Sequence, residues 1–509
     1  MNQLYKVLII TTTALTFIGS AFSMPIDWKG TFGVDTTLID SYRRSDALIN
    51  SGTYGNVGSE TLNNSYGNRK NASFQSYIFR LNPSIIINDS VTITGEMTTG
   101  YGGGGMVGDD FSQRKKLAAG TLNKTFGNAL YMYNTSSGSS NLSLTKFYME
   151  LYSDTATYVI GRHPFGWGLG ALYNDGAEAW DRHSSIRDGI TAKFKLSNFH
   201  IYPFWSKIQS SGQLTKATDI TEWGVSVLYS STEKDFKFGI LFSKRSSNAQ
   251  NASLASGNVS GGSLATNSTL GDTNVKAWDF YVDKSFGAYS VGIEVPIVGG
   301  DVGQVYNTGG YTSGGDYKQT ETKMKSMAVI LENKLELSDR WNLNLDLGHV
   351  SGDDGGQTKY EATYLHPNYQ IANLMFRYNL LAITDPDQYI YDSYIVNAKY
   401  AKLHGKYQND TWSFSTALIY AVANEAPKGG GKGFDEKTNA SFTASGKQDK
   451  EYGWEVDMGL EYAWNPNVKI GLDSGYHFVG DYYKYTNSNG TKQKITNTFM
   501  AQARVGIAF

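Results

Sequence analysis

Both arms of the segment WEVDMGLEYAWNPNVKIGLDSGYHF place apolar side chains at nearly every second position. Trp454, Val456, Met458, Leu460, Tyr462 and Trp464 alternate with Glu455, Asp457, Gly459 and Glu461. After the NPN turn, Val468, Ile470, Leu472, Tyr476 and Phe478 alternate with Lys469, Gly471, Asp473 and His477. A period of two sends successive side chains to opposite faces of a strand, so this is a hairpin with one oily and one wet face. The unit recurs in WNLNLDLGH, DFKFGILF, WGVSVLY, GITAKFKL, TWSFSTALIYAV and AYSVGIEVPIV, and the chain finishes on it in MAQARVGIAF. Whatever touches the repeated oily face decides the architecture.

Strands of this kind are expected to begin near Ile26, Phe74, Val91, Leu142, Tyr158, Asp188, Phe199, Glu222, Phe236, Lys276, Ala288, Met324, Trp341, Tyr394, Trp412, Gly453, Val468 and Ile495. Short links such as NDS, SDTA, STEKD, SFG, SDR, QND and NPN are interleaved with long Gly/Ser/Asn-rich stretches at about 42–73, 102–141, 164–187, 246–274, 298–320, 352–393 and 424–451. A sheet this large cannot leave its edges unpaired, and in lipid closure is compulsory because no water satisfies free backbone groups. The expected fold is therefore all-β: a closed antiparallel transmembrane β-barrel of about 18 strands, with 16 as the alternative, short periplasmic turns and long extracellular loops. Trp28, Trp223, Trp341, Trp412, Trp454 and Trp464 fall at strand ends, where interfacial girdles require them. A secreted sandwich, propeller or β-helix fits less well, since no blade-sized or calcium-binding repeat is found.

Residues 1–23 have the pattern of a signal peptide: a short positive start, a Thr-diluted apolar core and Ala21-Phe22-Ser23 at the cleavage position. Residues 24–509 then form one barrel domain, which places the mature chain in the outer membrane of a Gram-negative bacterium after export through the periplasm. With no Cys there is neither a lipid anchor nor a disulfide framework. A net charge of −2 and the absence of long like-charge blocks exclude nucleic acid as a partner. The partners left are outer-membrane lipid, small hydrophilic solutes and the outer-membrane assembly machinery.

On a barrel wall the wet face lines the lumen. The pore-lining candidates are Arg80, Arg162, Lys193, Lys195, Lys237, Glu294, Asp346, Glu455, Asp457, Glu461, Asp473 and Arg504. Cations from the first half of the chain would face carboxylates of the last third across a water-filled passage and set up a transverse field; simple hydrated lumen residues are the alternative. No G-x-S-x-G, H-E-x-x-H or Walker loop is present, and the seven His are scattered singly, so no enzyme and no cofactor is expected. Asp109, Asp110, Asp353 and Asp354 in Gly-rich loops could hold Ca²⁺, with solvated loop ends as the alternative reading.

Two long connections are unusual. GRHPFGWGLGALYNDG is rich in Gly and aromatics, as backbone pressed against another wall must be. YLHPNYQIANLMFRYNLLAI is too apolar to hang in water, so it is expected to fold inward, with His366, Asn368, Tyr369 and Phe376 as lumen-plug candidates. In these two stretches, GRHPFGWGLGALYND and HPNYQIANLMF, the sequence resembles outer-membrane proteins of the alginate-export type and their relatives. The resemblance implies a monomeric eighteen-stranded channel passing a polysaccharide or another hydrophilic solute. The mixed wall departs from the strongly cationic lumen that a polyanion exporter requires. The expected function is a porin-like channel for passive diffusion of small hydrophilic solutes or ions, saccharides included. The alternative is a structural or surface-interaction barrel occluded by 352–393. The ending on Phe509 also resembles the signal that the assembly machinery reads on its clients.

Overall fold

The computed structural model describes residues 25–42, 71–99, 105–106, 142–209, 220–247, 273–302, 323–353, 359–379, 390–426, 432–435, 440–443, 448–484 and 494–509. The signal segment, Asp109, Asp110 and Asp354 lie outside them, as do most of the expected long loops.

Eighteen strands form the wall: β1 (Ile26–Asp40), β2 (Ala72–Asn88), β3 (Val91–Thr98), β4 (Ser143–Tyr152), β5 (Ala156–Pro164), β6 (Ile186–Leu196), β7 (Phe199–Gln209), β8 (Ile220–Ser231), β9 (Phe236–Ser247), β10 (Thr273–Phe286), β11 (Tyr289–Val302), β12 (Lys323–Ser338), β13 (Trp341–Val350), β14 (Ala398–Gln408), β15 (Trp412–Ala423), β16 (Glu451–Asn465), β17 (Val468–Val479) and β18 (Thr498–Ala508). Each pairs antiparallel with the next in the chain, and β18 pairs with β1 from Thr31 opposite Ala508 to Asp40 opposite Phe499. The cylinder is therefore closed and has no free edge. At the seam Phe509 extends the ladder beyond β18, exchanging backbone hydrogen bonds of 2.8 and 3.0 Å with Gly30.

The parity expected from the sequence holds on the outside. Leu343, Leu345 and Leu347 of β13, Trp454, Met458 and Leu460 of β16, and Val505 and Ile507 of β18 all face outward and are exposed. Two aromatic girdles bound this belt. Trp28, Trp341, Trp412 and Trp464 stand at the short-turn end, and Trp205, Trp223, Trp278 and Trp454 at the long-loop end, all exposed. A closed barrel carrying an apolar belt between aromatic rings is built to span a hydrocarbon layer.

Inside, the wall is not uniformly polar. Ala328, Ile330, Ile419 and Ala421 point inward and are fully buried against Leu365, Ile371 and Met375 of the β13–β14 connection. The strand expected near Tyr394 accordingly starts at Ala398. Ile395 is fully buried against the inner cluster, and Asn397 turns the chain onto the wall at a φ of 52°.

Candidate pore constriction

Among the described residues the β5–β6 and β13–β14 connections enter the barrel, and wall carboxylates hold both by their backbone. In the β5–β6 connection, residues 165–185, the Glu294 carboxylate accepts the N–H of Leu169, of Ala171 (3.4 Å) and of Leu172 (3.1 Å). In the β13–β14 connection, Glu455 accepts from Leu374 (2.6 Å) and Met375 (2.7 Å), while Asp457 accepts from Asn373 (2.9 Å). Glu294 and Glu455 are both fully buried. A buried carboxylate is costly unless several donors satisfy it, so these wall groups and the inward segments need each other. Gly168 shows why the first segment is Gly-rich. Its φ is +61°, and a Cβ there would meet Glu294 Oε2 at 2.4 Å.

Cations complete the anchorage of the first segment. Arg80 donates to the carbonyls of Gly176 (2.8 Å), Glu178 (2.9 Å) and Asp181, and Lys146 bridges Glu96 (2.9 Å) and the Asp175 carbonyl (3.2 Å). Trp180 lies over Gly33 and Gly506, which are register partners across the seam. A Cβ at Gly33 would come within 2.6 Å of the indole. Trp167 packs with Phe204, Leu241 and Tyr281 on the wall. The segments also clasp each other. Asn368 donates to Asn174 (3.1 Å) and the His183 carbonyl (2.8 Å) and accepts the His183 N–H (3.2 Å).

Between them lies a cavity of about 200 Å³ lined by Asp35, Trp180, Asp181, Arg182, His183, Pro367, Asn368, Gln370, Arg377, Tyr391, Gln502 and Arg504. Arg182 is held to Asp35 (2.7 Å) and Ser76 (2.8 Å) through Nη2, while its Nη1 has no hydrogen-bond partner. Arg377 is fixed by Asn373 (2.8 Å) and Gln502 (3.2 Å), and Arg504 by Asp473 (3.3 Å) with Glu461 at 3.9 Å. Burial pushes the Asp181 carboxyl up to about 6, although the Glu178 N–H and Arg80 favour its charged form. Three guanidiniums thus meet two carboxylates on the lining.

Most expected pore-lining residues face inward, and among the described residues several of their charges pair with near neighbours instead of facing open charges across the lumen. Lys193 meets Glu150 at 3.3 Å, Lys237 meets Asp283 at 3.9 Å and Asp346 meets His404 at 3.0 Å. Lys195 shares the inner face, exposed and opposite His200. Glu294, Glu455 and Asp457 hold the inward segments instead of lining a passage, and so does Arg80.

Arg162 is a correction. It lies on the outer face, cross-strand from exposed Phe147 and on the same face as exposed Ile190, paired with Asp188 through 2.7 and 2.6 Å bonds. Apolar residues at both Val159 and Ile160 hide the parity there, since Val159 is buried on the inner face.

The plug candidates are inside the barrel. Tyr369 donates to Glu332 (2.8 Å), Phe376 packs edge-on against Tyr452 (5.3 Å between centroids), and His366 lies 6.4 Å from His183. Asp353 accepts the Glu361 N–H at 2.9 Å. Arg182 and Arg377 were missed as site residues. The signal was available, since both are cations within connections already too apolar or too Gly-rich for solvent.

Burial, with His183 nearby, lowers the His366 pKa to about 4. Its docked form is thus neutral, and docking is undiminished above the ordinary histidine value near 6.5. Below that, docking weakens by at most about 1.4 kcal/mol per pH unit until pH 4 is reached. Single-channel records are therefore expected to grow noisier as pH falls from 6.5 to 4.5, and less so in His366→Gln. Equal noise in the two proteins at pH 4.5 would refute a role for this histidine.

No protein-family model matches the chain, and no curated protein matches it by sequence. Among solved structures, OccK8 (OprE) of Pseudomonas aeruginosa aligns over 95% of this chain and 98% of its own, at 11% identity and a TM-score of 0.46. OpdK of the same organism, solved with vanillate, gives the same coverage at 11% identity and a TM-score of 0.45. The loop L8 deletion mutant of Vibrio cholerae OmpT covers 95% and 99%, at 8% identity and a TM-score of 0.35.

Proposed function

We propose that this protein is a passive channel of the Gram-negative outer membrane for small hydrophilic solutes, with a mild preference for anions. The observation that carries this reading is the cavity inside a closed, lipid-ready barrel, between the inward segments and the seam strands, where Arg182, Arg377 and Arg504 outnumber the lining carboxylates. A solute crossing there exchanges water for guanidinium, amide and indole groups, and a charged rim in a narrow passage filters by size and sign. Such transport involves neither a bond-breaking step nor a cofactor. The short resemblance to alginate exporters supports a hydrophilic cargo, while the locally paired wall favours small solutes, saccharides among them, over a long polyanion.

Planar-bilayer recording of the purified chain is expected to show stepwise conductance with a reversal potential displaced towards anions. A tight seal after repeated, verified insertion would overturn the channel. It would favour the second reading, a surface-interaction barrel occluded by its two inward segments, which the extensive anchorage of those segments supports.

We also propose that the last strand addresses the chain to the assembly machinery. Deleting Phe509 is expected to cut the outer-membrane level several-fold without changing the conductance of each assembled channel. Wild-type levels of the truncated chain would refute this.

A further inference from the structure

The outer face carries a cationic row that the channel does not use. Register places Trp205 opposite Trp223, Trp223 opposite Lys244, Lys244 opposite Lys276, Lys276 opposite Gly299 and Gly299 opposite Lys325. All lie on the outward face at the long-loop ends of β7 to β12. The next outward row towards the membrane centre is wholly apolar: Phe242, Trp278, Ile297 and Met327, again register partners. Trp278, Ile297 and Met327 are exposed. The ammonium groups thus begin two residues, roughly 7 Å, above the edge of the oily belt.

Lys276 and Lys325 are exposed and Lys244 is half-buried, and none of the three makes an ion pair with a described residue. Lys244 and Lys276 stand directly across from one another. Like charges in that position repel, and nothing described within the protein relieves them. Among the described residues of β7 to β12 the acidic residue on this outer face is Asp301, opposite Lys323 one row higher, and Asp188 on the adjoining β6 is taken by Arg162.

From the register, the repulsion and the position just above the apolar belt, we propose that Lys244, Lys276 and Lys325 dock the phosphate-bearing headgroups of the lipid leaflet on the long-loop side. A membrane barrel presents this height to headgroups and to nothing else in the bilayer. Each ammonium is a compact charge with three donors, suited to phosphate oxygens. A bound phosphate removes the Lys244–Lys276 repulsion and fixes the depth of the barrel in the leaflet. The proposal goes beyond conduction but rests on the membrane-spanning orientation proposed above.

The test is retention of diphosphoryl lipid A by the full-length protein in uncharged detergent at fixed salt, measured by native mass spectrometry. Three variants are compared with the wild type: K244S/K276S/K325S, K244R/K276R/K325R, and the lumen control K193S/K195S. Basic residues near an anionic lipid surface contribute about a factor of five each, so the triple serine variant is expected to bind roughly 100-fold more weakly. The arginine variant and the lumen control should bind as the wild type does. Equal lipid retention by the triple serine variant overturns the proposal, as does an equal loss in the lumen control. Conductance in a neutral bilayer scores the channel reading separately, so failure of one reading is distinguishable from failure of the other.

Discussion

Replacing residues 354–396 with a short Gly/Ser link is expected to raise single-channel conductance several-fold while leaving the barrel closed. Val350 and Ala398 are register partners at the ends of β13 and β14, so the wall does not need the segment to hold those strands together. What the segment supplies is obstruction. Leu365, Ile371, Leu374 and Met375 are essentially fully buried inside the cylinder, and Glu455 and Asp457 pin their neighbourhood through three backbone N–H groups. Removing it also uncovers Ala328, Ile330, Ile419 and Ala421 to lumen water. That loss costs roughly 25 cal/mol for each Å² exposed, which lowers thermal stability but leaves the backbone ladder intact. A milder version is Glu455→Gln. It replaces a carboxylate that accepts two N–H bonds by an amide with one acceptor oxygen, and bonds to charged groups contribute about 1.5–3 kcal/mol each. Frequent openings to the conductance of the deletion variant are then expected. Unchanged conductance in the deletion variant, with the barrel verified as folded, would show that the first inward segment alone sets the passage.

The wall was legible because lipid outside and water inside enforce a strict two-residue period. Every one of the eighteen strand starts follows from it to within a few residues, as at Ala398 and Thr498. The same period also hides what happens where the inside is dry. MAVIL in β12 is apolar on both faces, Met327, Val329 and Leu331 towards lipid and Ala328 and Ile330 towards the inward segment, and ALIYAVA in β15 repeats this around Ile419 and Ala421. Continuous apolar runs within otherwise alternating strands were thus the mark of a docked segment, and they flank the connection whose own apolar character pointed inward. The partners of individual charges were not legible. Glu294 and Lys237 both sit on the wet face of an alternating strand, yet one holds three backbone N–H groups and the other pairs with Asp283. That difference depends on contacts between residues more than 100 positions apart in the chain for Glu294 and on a cross-strand neighbour for Lys237.

The double variant R377Q/R504Q is expected to reverse the ion preference of the channel. Around the cavity Arg182, Arg377 and Arg504 face Asp35 and Asp181, and Arg182 is committed to Asp35 at 2.7 Å. Arg377, whose partners are the amide oxygens of Asn373 and Gln502, and Arg504, which offsets Asp473 and Glu461, are therefore the cations whose loss changes the field that a passing ion meets. Their replacement leaves Asp35 and Asp181 facing Arg182 alone on the lining and takes the Arg504 partner from Glu461 and Asp473, and the reversal potential in a salt gradient should cross from the anion to the cation side. Glutamine keeps hydrogen-bonding capacity towards Asn373 and Gln502, so the inward segment stays docked and the effect reads charge, not collapse. The acid limb gives an independent check on the sign. Asp181 titrates near 6, so at pH 5 it is largely neutral and the wild-type lining becomes more positive, which strengthens anion preference; at pH 7.5 it is charged and moderates that preference. Asp181→Asn should hold the channel at its pH 5 selectivity throughout. A reversal potential that ignores both the arginine pair and the Asp181 change would place the selective step elsewhere in the lumen, at the Lys193–Glu150 and Lys237–Asp283 pairs nearer the short-turn mouth.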